Sequence, residues 1–343
     1  MWIGKAEEMN KEISMKIKDI FSHRYFIMGL SMVWIMFFHA DFNVDNTIIS
    51  HIKDTGYGGV DVFLMCSGFG CFCSLEKNND VLTFINKRFV RIMPSWIIYM
   101  LFWIPATWLV RGISLQAVLG NLFCIQSLTT LGNSMNWYIS AIWIFYILSP
   151  YLHAFCKKLT LGKNLLLLLI MVTISIPFWG VTELIVGVSR LAVFYLGMLL
   201  AKHQNYEISF KNIVVSLGGC ILGFSVLIVC MHYFPTIMWS HALYWYPFIF
   251  IVFGIGILAT FLECLLSKCK LNAVNNLINY IGRVSFEIYL IQVLYFNVIR
   301  FVILKNVLPN SNIIWLFALI TTIPISAVFH FMVGRIMILV YRR

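Results

Sequence analysis

Long, uninterrupted apolar stretches recur along almost the whole of this sequence, and they decide what kind of protein it can be. A helix needs about 17 to 25 predominantly apolar residues to cross the hydrocarbon core of a bilayer. Here 61% of the residues are hydrophobic and only 11% are charged, a balance that a soluble domain of this size does not tolerate. The apolar residues run continuously instead of alternating, so the spans are helices and not barrel strands. The sequence predicts an all-α, polytopic membrane protein.

Ten spans of suitable length can be placed along the chain. They lie near residues 25–40, 57–75, 93–111, 136–156, 164–182, 187–201, 212–233, 242–266, 281–304 and 313–339. The fifth and sixth are separated only where one long apolar stretch is interrupted by Pro177, Gly180, Glu183 and Gly187. If they merged, the count would be nine and the carboxyl terminus would change sides.

The distribution of Lys and Arg gives an independent test of that count. With the amino terminus in the cytoplasm, 20 of the 25 basic residues fall in inner segments and five fall outside. This is the asymmetry that the positive-inside tendency predicts. We therefore expect ten helices in a plasma or inner membrane, with both termini cytoplasmic. The net charge of +11 is then explained by topology and anionic lipid, with no nucleic-acid partner.

Residues 1–23 are expected to form an amphipathic helix on the inner membrane surface, ahead of one transmembrane domain over residues 24–343. Isoleucines, including Ile17 and Ile20, alternate there with lysines. The nine cysteines show neither a disulfide framework nor the Cys/His spacing of a metal site. We expect them to be packing residues, and we expect no bound metal.

Two polar residues lie at matching depth in consecutive spans. His39 closes the first span, and Asp61 opens the second from the same, outer side. Polar groups at such depth are costly unless they have a partner or a wet cavity, so these two are expected to pair. The alternative is that each one faces lipid headgroups.

A basic cluster precedes Pro94 on the cytoplasmic side. It consists of Lys87, Arg88 and Arg91. Such a cluster either sets topology between two spans or grips phosphates by charge-assisted hydrogen bonds. The residues around it favour the second interpretation.

Six short motifs follow one another along the chain. They are Phe37 to His39, Gly58 to Phe69, Lys87 to Pro94, Asn136 to Tyr138, Arg190 to Gly197, and Ile281 to Leu290. In this order and spacing they resemble the acyltransferase 3 family of polytopic membrane acyltransferases, which move acyl groups, often acetyl, from coenzyme A to hydroxyls of extracytoplasmic sugars. Two positions depart from the family pattern: Met28 stands where an Arg is usual, and Gln292 where a His is common. Arg24 faces roughly the same side of its helix as Met28 and can substitute for the missing Arg.

The resemblance implies a membrane O-acyltransferase that takes an acyl group, by default acetyl, from cytoplasmic acyl-coenzyme A as co-substrate. Lys87, Arg88 and Arg91, with Arg24, would hold its phosphates. His39 would be the general base that takes the proton of the acceptor hydroxyl. Asp61 would orient the imidazole. An acyl-histidine intermediate is an open alternative.

Other polar and aromatic residues have expected roles in the same site. Trp137 is expected to stack on the acceptor sugar, Tyr138 to donate to the developing oxyanion, and Arg190 to neutralise it. The alternative for all three is an interfacial belt or anchor. Glu287, about two turns into the ninth span, is expected to form a structural ion pair with Arg24, Arg88 or Arg91. The acceptor is expected to be an extracytoplasmic glycan or glycolipid.

Two other classes of function stay open. A transporter or flippase would use a broken helix, for which Pro177 and Gly180 are the candidate positions. An inactive family member that regulates another membrane protein is suggested by Met28 and Gln292.

Overall fold

The structure, a computed structural model, describes residues 15–125, 137–173, 187, 189–240 and 243–341, and these are almost entirely helical. The first half contains α1 (Ile17–Ser22), α2 (Arg24–His39), α3 (Thr47–Asp54), a 3₁₀ turn (Gly56–Gly58), α4 (Gly59–Lys77), α5 (Val81–Arg111), α6 (Leu115–Leu122) and α7 (Trp137–Lys158). The second half contains α8 (Leu161–Thr173), α9 (Leu191–Lys202), α10 (Phe210–Tyr233), α11 (Pro235–Ser240), a 3₁₀ turn (Leu243–Trp245), α12 (Phe248–Lys268), α13 (Asn272–Arg283), α14 (Ser285–Leu304) and α15 (Asn312–Tyr341). One short antiparallel pair, β1 (Met15–Lys16) with β2 (Glu207–Ile208), departs from the predicted all-α class.

Seven segments of the described residues are long and apolar enough to cross a membrane, so the chain is a multi-pass membrane protein. They are Thr47–Lys77, Val81–Val110, Trp137–Lys158, Phe210–Tyr233, Leu243–Lys268, Ser285–Leu304 and Asn312–Leu339. Three shorter apolar helices, α2, α8 and α9, lie where the first, fifth and sixth spans were expected. The count of ten and the side of each terminus stay predictions, and Pro177 and Gly180 lie outside the described residues.

The basic cluster before Pro94 lies on a helix and not in a loop. Helix α5 begins at Val81, because the Asp80 carboxylate accepts a hydrogen bond of 2.9 Å from the backbone N–H three residues later. Pro94 lies inside this helix, where it removes one backbone hydrogen bond and favours a bend. The expected start of the third span near residue 93 is therefore corrected, and the cluster's three side chains project from the first turns of α5.

Helices α4 and α9 cross at a short distance because each has a glycine at the contact. A Cβ atom added at Gly68 would lie 1.9 Å from the carbonyl oxygen of Phe194. One added at Gly197 would lie 2.0 Å from that of Met65. Small residues let membrane helices approach in this way. The crossing fixes where the start of α9 lies against α4.

The first described residues pack against protein. Ile20 and Phe21 are buried, and the Phe21 ring stacks on that of Phe69 with centroids 3.7 Å apart. These two apolar side chains are therefore covered by protein, and the amphipathic surface helix over residues 1–23 stays a prediction. Residues 1–14 lie outside the described part of the chain.

Candidate active site

A cavity lies between α2, α4, α5, α7 and α14, in the interior of the helical assembly. About 570 Å³ between these helices is free of atoms, and part of that space opens to the surroundings. Its lining consists of Met28, Ile35, Val60, Phe63, Ser67, Arg91, Ile92, Tyr138, Tyr146, Ser285, Phe286 and Tyr289. A mostly apolar and aromatic wall with a few polar groups is typical of a site for an organic ligand.

Two guanidinium groups, one in the cavity wall and one beside it, have no carboxylate partner among the described residues. Arg91 lines the cavity, and its side chain is exposed. Arg88, one turn earlier on α5, lies over the rings of Phe84 and Tyr146 at 5.0 and 5.5 Å. Its Nη2 donates to the carbonyl oxygen of Gly70 at 3.4 Å, while its buried Nε has no acceptor in the described residues. Because buried donors are normally satisfied, this pair is suited to an anion from outside the chain.

His39, the predicted base, ends α2 one turn beyond the cavity residue Ile35. Its ring Nδ1 lies 3.3 Å from Nε2 of Gln292 on α14. Its carbonyl oxygen accepts a hydrogen bond from Arg300, whose guanidinium also binds Asp41 through bonds of 2.7 and 2.8 Å. Both the ring and the backbone of His39 are therefore held from α14.

Asp61 binds Arg190, and no hydrogen bond joins it to His39 in the described part of the chain. Arg190 Nε donates to Asp61 Oδ1 at 2.9 Å, and the two side chains are 1% and 0% exposed. The contact expected between Asp61 and His39 is thus corrected, because a buried carboxylate gains more from a fixed cation than from a neutral imidazole. Arg190, expected to meet an oxyanion, already has a counter-ion.

The two aromatic residues at the start of α7 lie in different surroundings. Tyr138 lines the cavity and packs edge to face on Tyr289, with ring centroids 5.4 Å apart. Trp137 packs against Arg190, whose guanidinium carbon lies 4.6 Å from the centroid of the Trp137 ring. Stacking of Trp137 on a sugar stays a prediction, and Asn136 lies outside the described residues.

Arg24 and Lys87 do not line the cavity. Arg24 is exposed, and its Nη2 donates to the Tyr25 hydroxyl at 3.2 Å. Lys87 is exposed as well. Met28, whose place Arg24 was expected to fill functionally, does line the cavity. The cation at the cavity therefore comes from Arg91 on the opposite helix α5.

Glu287 is bound by a hydroxyl and a histidine. Its Oε1 accepts a hydrogen bond of 2.9 Å from Ser95 and lies 3.3 Å from Nδ1 of His330. The three arginines expected as its partners form no ion pair with it in the described residues. On α5, Ser95 is the residue that faces Glu287, whereas Arg88 and Arg91 lie at least one helical turn earlier along the same helix. The expectation of an arginine partner was wrong.

The sequence-based reasoning missed the residues that hold His39. Arg300 was counted only as an outer topological charge, and Gln292 only as a departure from a motif. A usable signal existed for Gln292, since an amide deep in an apolar span is as much in need of a partner as an imidazole. No such signal connected Arg300 to Asp41, which is 259 positions away.

Within the described ranges, no group of three or more His, Cys, Asp or Glu residues could hold a metal ion. The nine cysteines are free thiols. The polar groups in the cavity wall are the Arg91 guanidinium and the hydroxyls of Ser67, Ser285 and the three tyrosines.

Comparison with known proteins gives one match. A family model described as an acyltransferase domain, Acyl_transf_3, matches residues 27–331. No curated protein and no solved structure matches the chain significantly. The matched range includes the cavity lining, His39 with its neighbours, and the Asp61–Arg190 pair.

Proposed function

The chain belongs to the acyltransferase 3 family and is a membrane acyltransferase, and we propose its donor, its acceptor and its catalytic base. The donor is acyl-coenzyme A, by default acetyl-coenzyme A, which approaches from the cytoplasm. The acceptor is a hydroxyl of an extracytoplasmic carbohydrate. His39 is the base. The membrane is a plasma or inner membrane, with both termini on the cytoplasmic side.

The observation that carries this proposal is the cavity with Arg91 in its wall and Arg88 one turn away. Coenzyme A combines several phosphates with a narrow pantetheine arm that ends in the thioester. Guanidinium groups bind phosphate oxygens through paired, charge-assisted hydrogen bonds. The apolar and aromatic wall beyond Arg91 suits the arm. Lys87, exposed on the same helix, adds a cation nearer the helix start.

The reacting end of the donor would lie towards Ile35 and Tyr289, next to His39 and Gln292. Ile35 is one turn before His39 on α2, and Tyr289 is three residues before Gln292 on α14. The helical turns that carry His39 and Gln292 therefore each follow a residue of the cavity wall. Tyr138, in the same wall, is placed to donate a hydrogen bond to the thioester oxygen as it becomes negative.

The chemistry follows from these positions. The acceptor hydroxyl gives its proton to the imidazole of His39 while its oxygen forms a bond to the thioester carbonyl carbon. The carbon–sulfur bond then breaks, and the imidazolium returns a proton to the leaving thiolate. General base catalysis of this kind contributes about 10² to 10⁴ in rate.

A second cavity supports an acceptor that arrives from the other direction. About 730 Å³ between α5 and α14 is free of atoms, part of it open to the surroundings, and Arg300 and Asn297 are among the lining residues. Arg300 also donates to the His39 carbonyl oxygen, so one lining residue of this second cavity contacts the backbone of the proposed base. Trp137 stays the candidate for sugar stacking.

The test uses purified protein in lipid nanodiscs with labelled acetyl-coenzyme A and a panel of glycans. His39→Ala is expected to lose turnover and keep coenzyme A binding. Arg91→Gln is expected to weaken that binding by about 10- to 100-fold, the effect of losing a charged hydrogen-bond partner. Arg335→Gln, an exposed arginine on α15 outside the cavity lining, is the matched control and should bind normally.

Two results would overturn the proposal. Movement of a substrate across the bilayer without acyl transfer would favour the transporter class. Binding of coenzyme A with no transfer to any glycan would favour an inactive, regulatory family member. Near-normal turnover by His39→Ala would refute the assignment of the base alone.

A further inference from the structure

Gln292 lies beside the proposed base, and the acyl transfer as proposed gives it no role. The side chain is 0% exposed, on the face of α14 that carries Tyr289 one turn earlier. Its amide nitrogen lies 3.3 Å from Nδ1 of His39. Its Oε1 is buried and accepts no hydrogen bond from the described residues. An amide that is buried, half satisfied and in contact with a catalytic imidazole calls for an explanation.

The two orientations of this amide have opposite consequences for His39. The oxygen and nitrogen of a Gln side chain have nearly the same shape, so a rotation of 180° exchanges them without moving other atoms. If Nε2 of Gln292 donates to Nδ1, the proton of neutral His39 sits on its own Nε2, which then cannot accept another. If Oε1 accepts from Nδ1–H, the lone pair is on Nε2 of the imidazole.

We propose that Gln292 is a positioning residue whose Oε1 accepts the Nδ1–H of His39 and so keeps the imidazole Nε2 free to take the acceptor's proton. This inference rests on the proposed function, because only a base requires that tautomer. In the proton transfer, Nε2 gains the proton of the hydroxyl, Nδ1–H stays bound to Oε1, and Nε2 later gives its proton to the thiolate.

A neutral partner suits this position. Asp61, the carboxylate expected to orient the ring, is occupied by Arg190, and Asp41 by Arg300. A third carboxylate at position 292 would be buried without a cation of its own, which is costly. An amide supplies the acceptor oxygen and avoids that burial of charge.

The kinetic test compares Gln292→Met with Gln292→Glu. Methionine keeps the size and removes the acceptor, and glutamate keeps the acceptor. We expect Gln292→Met to lower kcat by about 10²- to 10⁴-fold, the range for a base that is lost or held in the wrong tautomer. KM for acyl-coenzyme A should stay the same, since Gln292 does not line the donor cavity. Because a buried carboxylate at position 292 can lower stability, the two variants are compared per folded protein, as judged by thermal unfolding. On that basis Gln292→Glu, which still accepts from Nδ1–H, should be at least tenfold more active than Gln292→Met. If Gln292 only filled space, methionine would be the milder change, so the reverse order would overturn the inference.

A second measurement does not depend on turnover. Nitrogen NMR of protein labelled at histidine reports which ring nitrogen is protonated, and the His39 signal is identified by its loss in His39→Ala. We expect the Nδ1–H form in the unmodified protein and a mixture of tautomers in Gln292→Met. A protonated Nε2 in the unmodified protein, or no change in Gln292→Met, would overturn the inference. Failure of the unmodified protein to transfer acyl groups would refute the proposed function and leave the tautomer result standing.

Discussion

Replacement of Gly68 by alanine is expected to force α4 and α9 apart. The added Cβ would lie 1.9 Å from the Phe194 carbonyl oxygen, whereas Cβ atoms essentially never come closer than 3.0 Å to another heavy atom, so the local gap must widen by at least about 1.1 Å. The obstacle is a backbone atom and cannot rotate away as a side chain can. Gly70, on the same helix, is the matched control, because an added Cβ there meets nothing within 4 Å.

The expected size of the effect follows from two terms. Overpacking of a fitted contact costs about 1–3 kcal/mol. Exchange of glycine for alanine in a helix also stabilises by about 0.4–1 kcal/mol, because the unfolded chain loses freedom. Both variants share the second term. The difference in unfolding free energy between Gly68→Ala and Gly70→Ala therefore isolates the contact, at about 1–3 kcal/mol.

The assay is unfolding of the detergent-purified variants, followed by tryptophan fluorescence against denaturant. Gly68→Ala should unfold at lower denaturant than the parent protein, and Gly70→Ala at equal or higher denaturant. Equal midpoints for the two variants would refute the argument that α4 and α9 are held in backbone contact. A loss at Gly70 as large as that at Gly68 would attribute the effect to helix glycines in general.

Other predictions concern polar contacts of the same helices. Asp61→Ala should lower stability by about 3–5 kcal/mol, because the Arg190 charge loses its buried counter-ion, and combination with Arg190→Met should recover much of that loss in thermal unfolding. A double variant less stable than Asp61→Ala would contradict this. Lys202→Met removes hydrogen bonds of 2.9 and 2.7 Å to the carbonyl oxygens of Cys156 and Leu159, at the end of α7. In the same assay the loss should not exceed about 3 kcal/mol for each bond. Met28→Arg, added to Arg91→Met, should restore part of the coenzyme A affinity measured by calorimetry, since both positions line one cavity; no gain in a folded double variant would argue against phosphate binding there.

Hydropathy and charge located much of the fold because both are local properties of the chain. An apolar run in lipid must satisfy its backbone within itself, so helices appear wherever the runs occur. The third apolar run was expected to start near residue 93, whereas its helix begins at the Asp80 cap and includes the basic cluster. The helices at which runs are short or interrupted, α8 and α9, are those that hydropathy defined least well.

The partners of the buried charges were not predictable in the same way. Hydropathy gives the depth of a residue in a span and leaves open the direction in which its side chain points. His39 and Asp61 were placed at matching depth, yet one faces Gln292 and the other Arg190. The partner that each side chain faces depends on how its helix is rotated about its axis and on close helix contacts such as the one at Gly68. Both are properties of the assembled fold.

The arrangement of counter-ions supports a direction for the proposed transfer. The two arginines near the predicted outer end of the site, Arg190 and Arg300, are each bound to a carboxylate. Arg88 and Arg91, on the predicted inner side, have no carboxylate partner in the described residues, and one of them opens onto the cavity. Under the proposed function, an anionic donor would gain charge-assisted bonds at Arg88 and Arg91, whereas Arg190 and Arg300 are already paired and offer a neutral hydroxyl acceptor no unpaired charge. If the proposed donor binds there, its phosphates would lie on the predicted cytoplasmic side and its thioester would extend towards His39. The side that binds the phosphates would then follow from where the carboxylates pair with arginines.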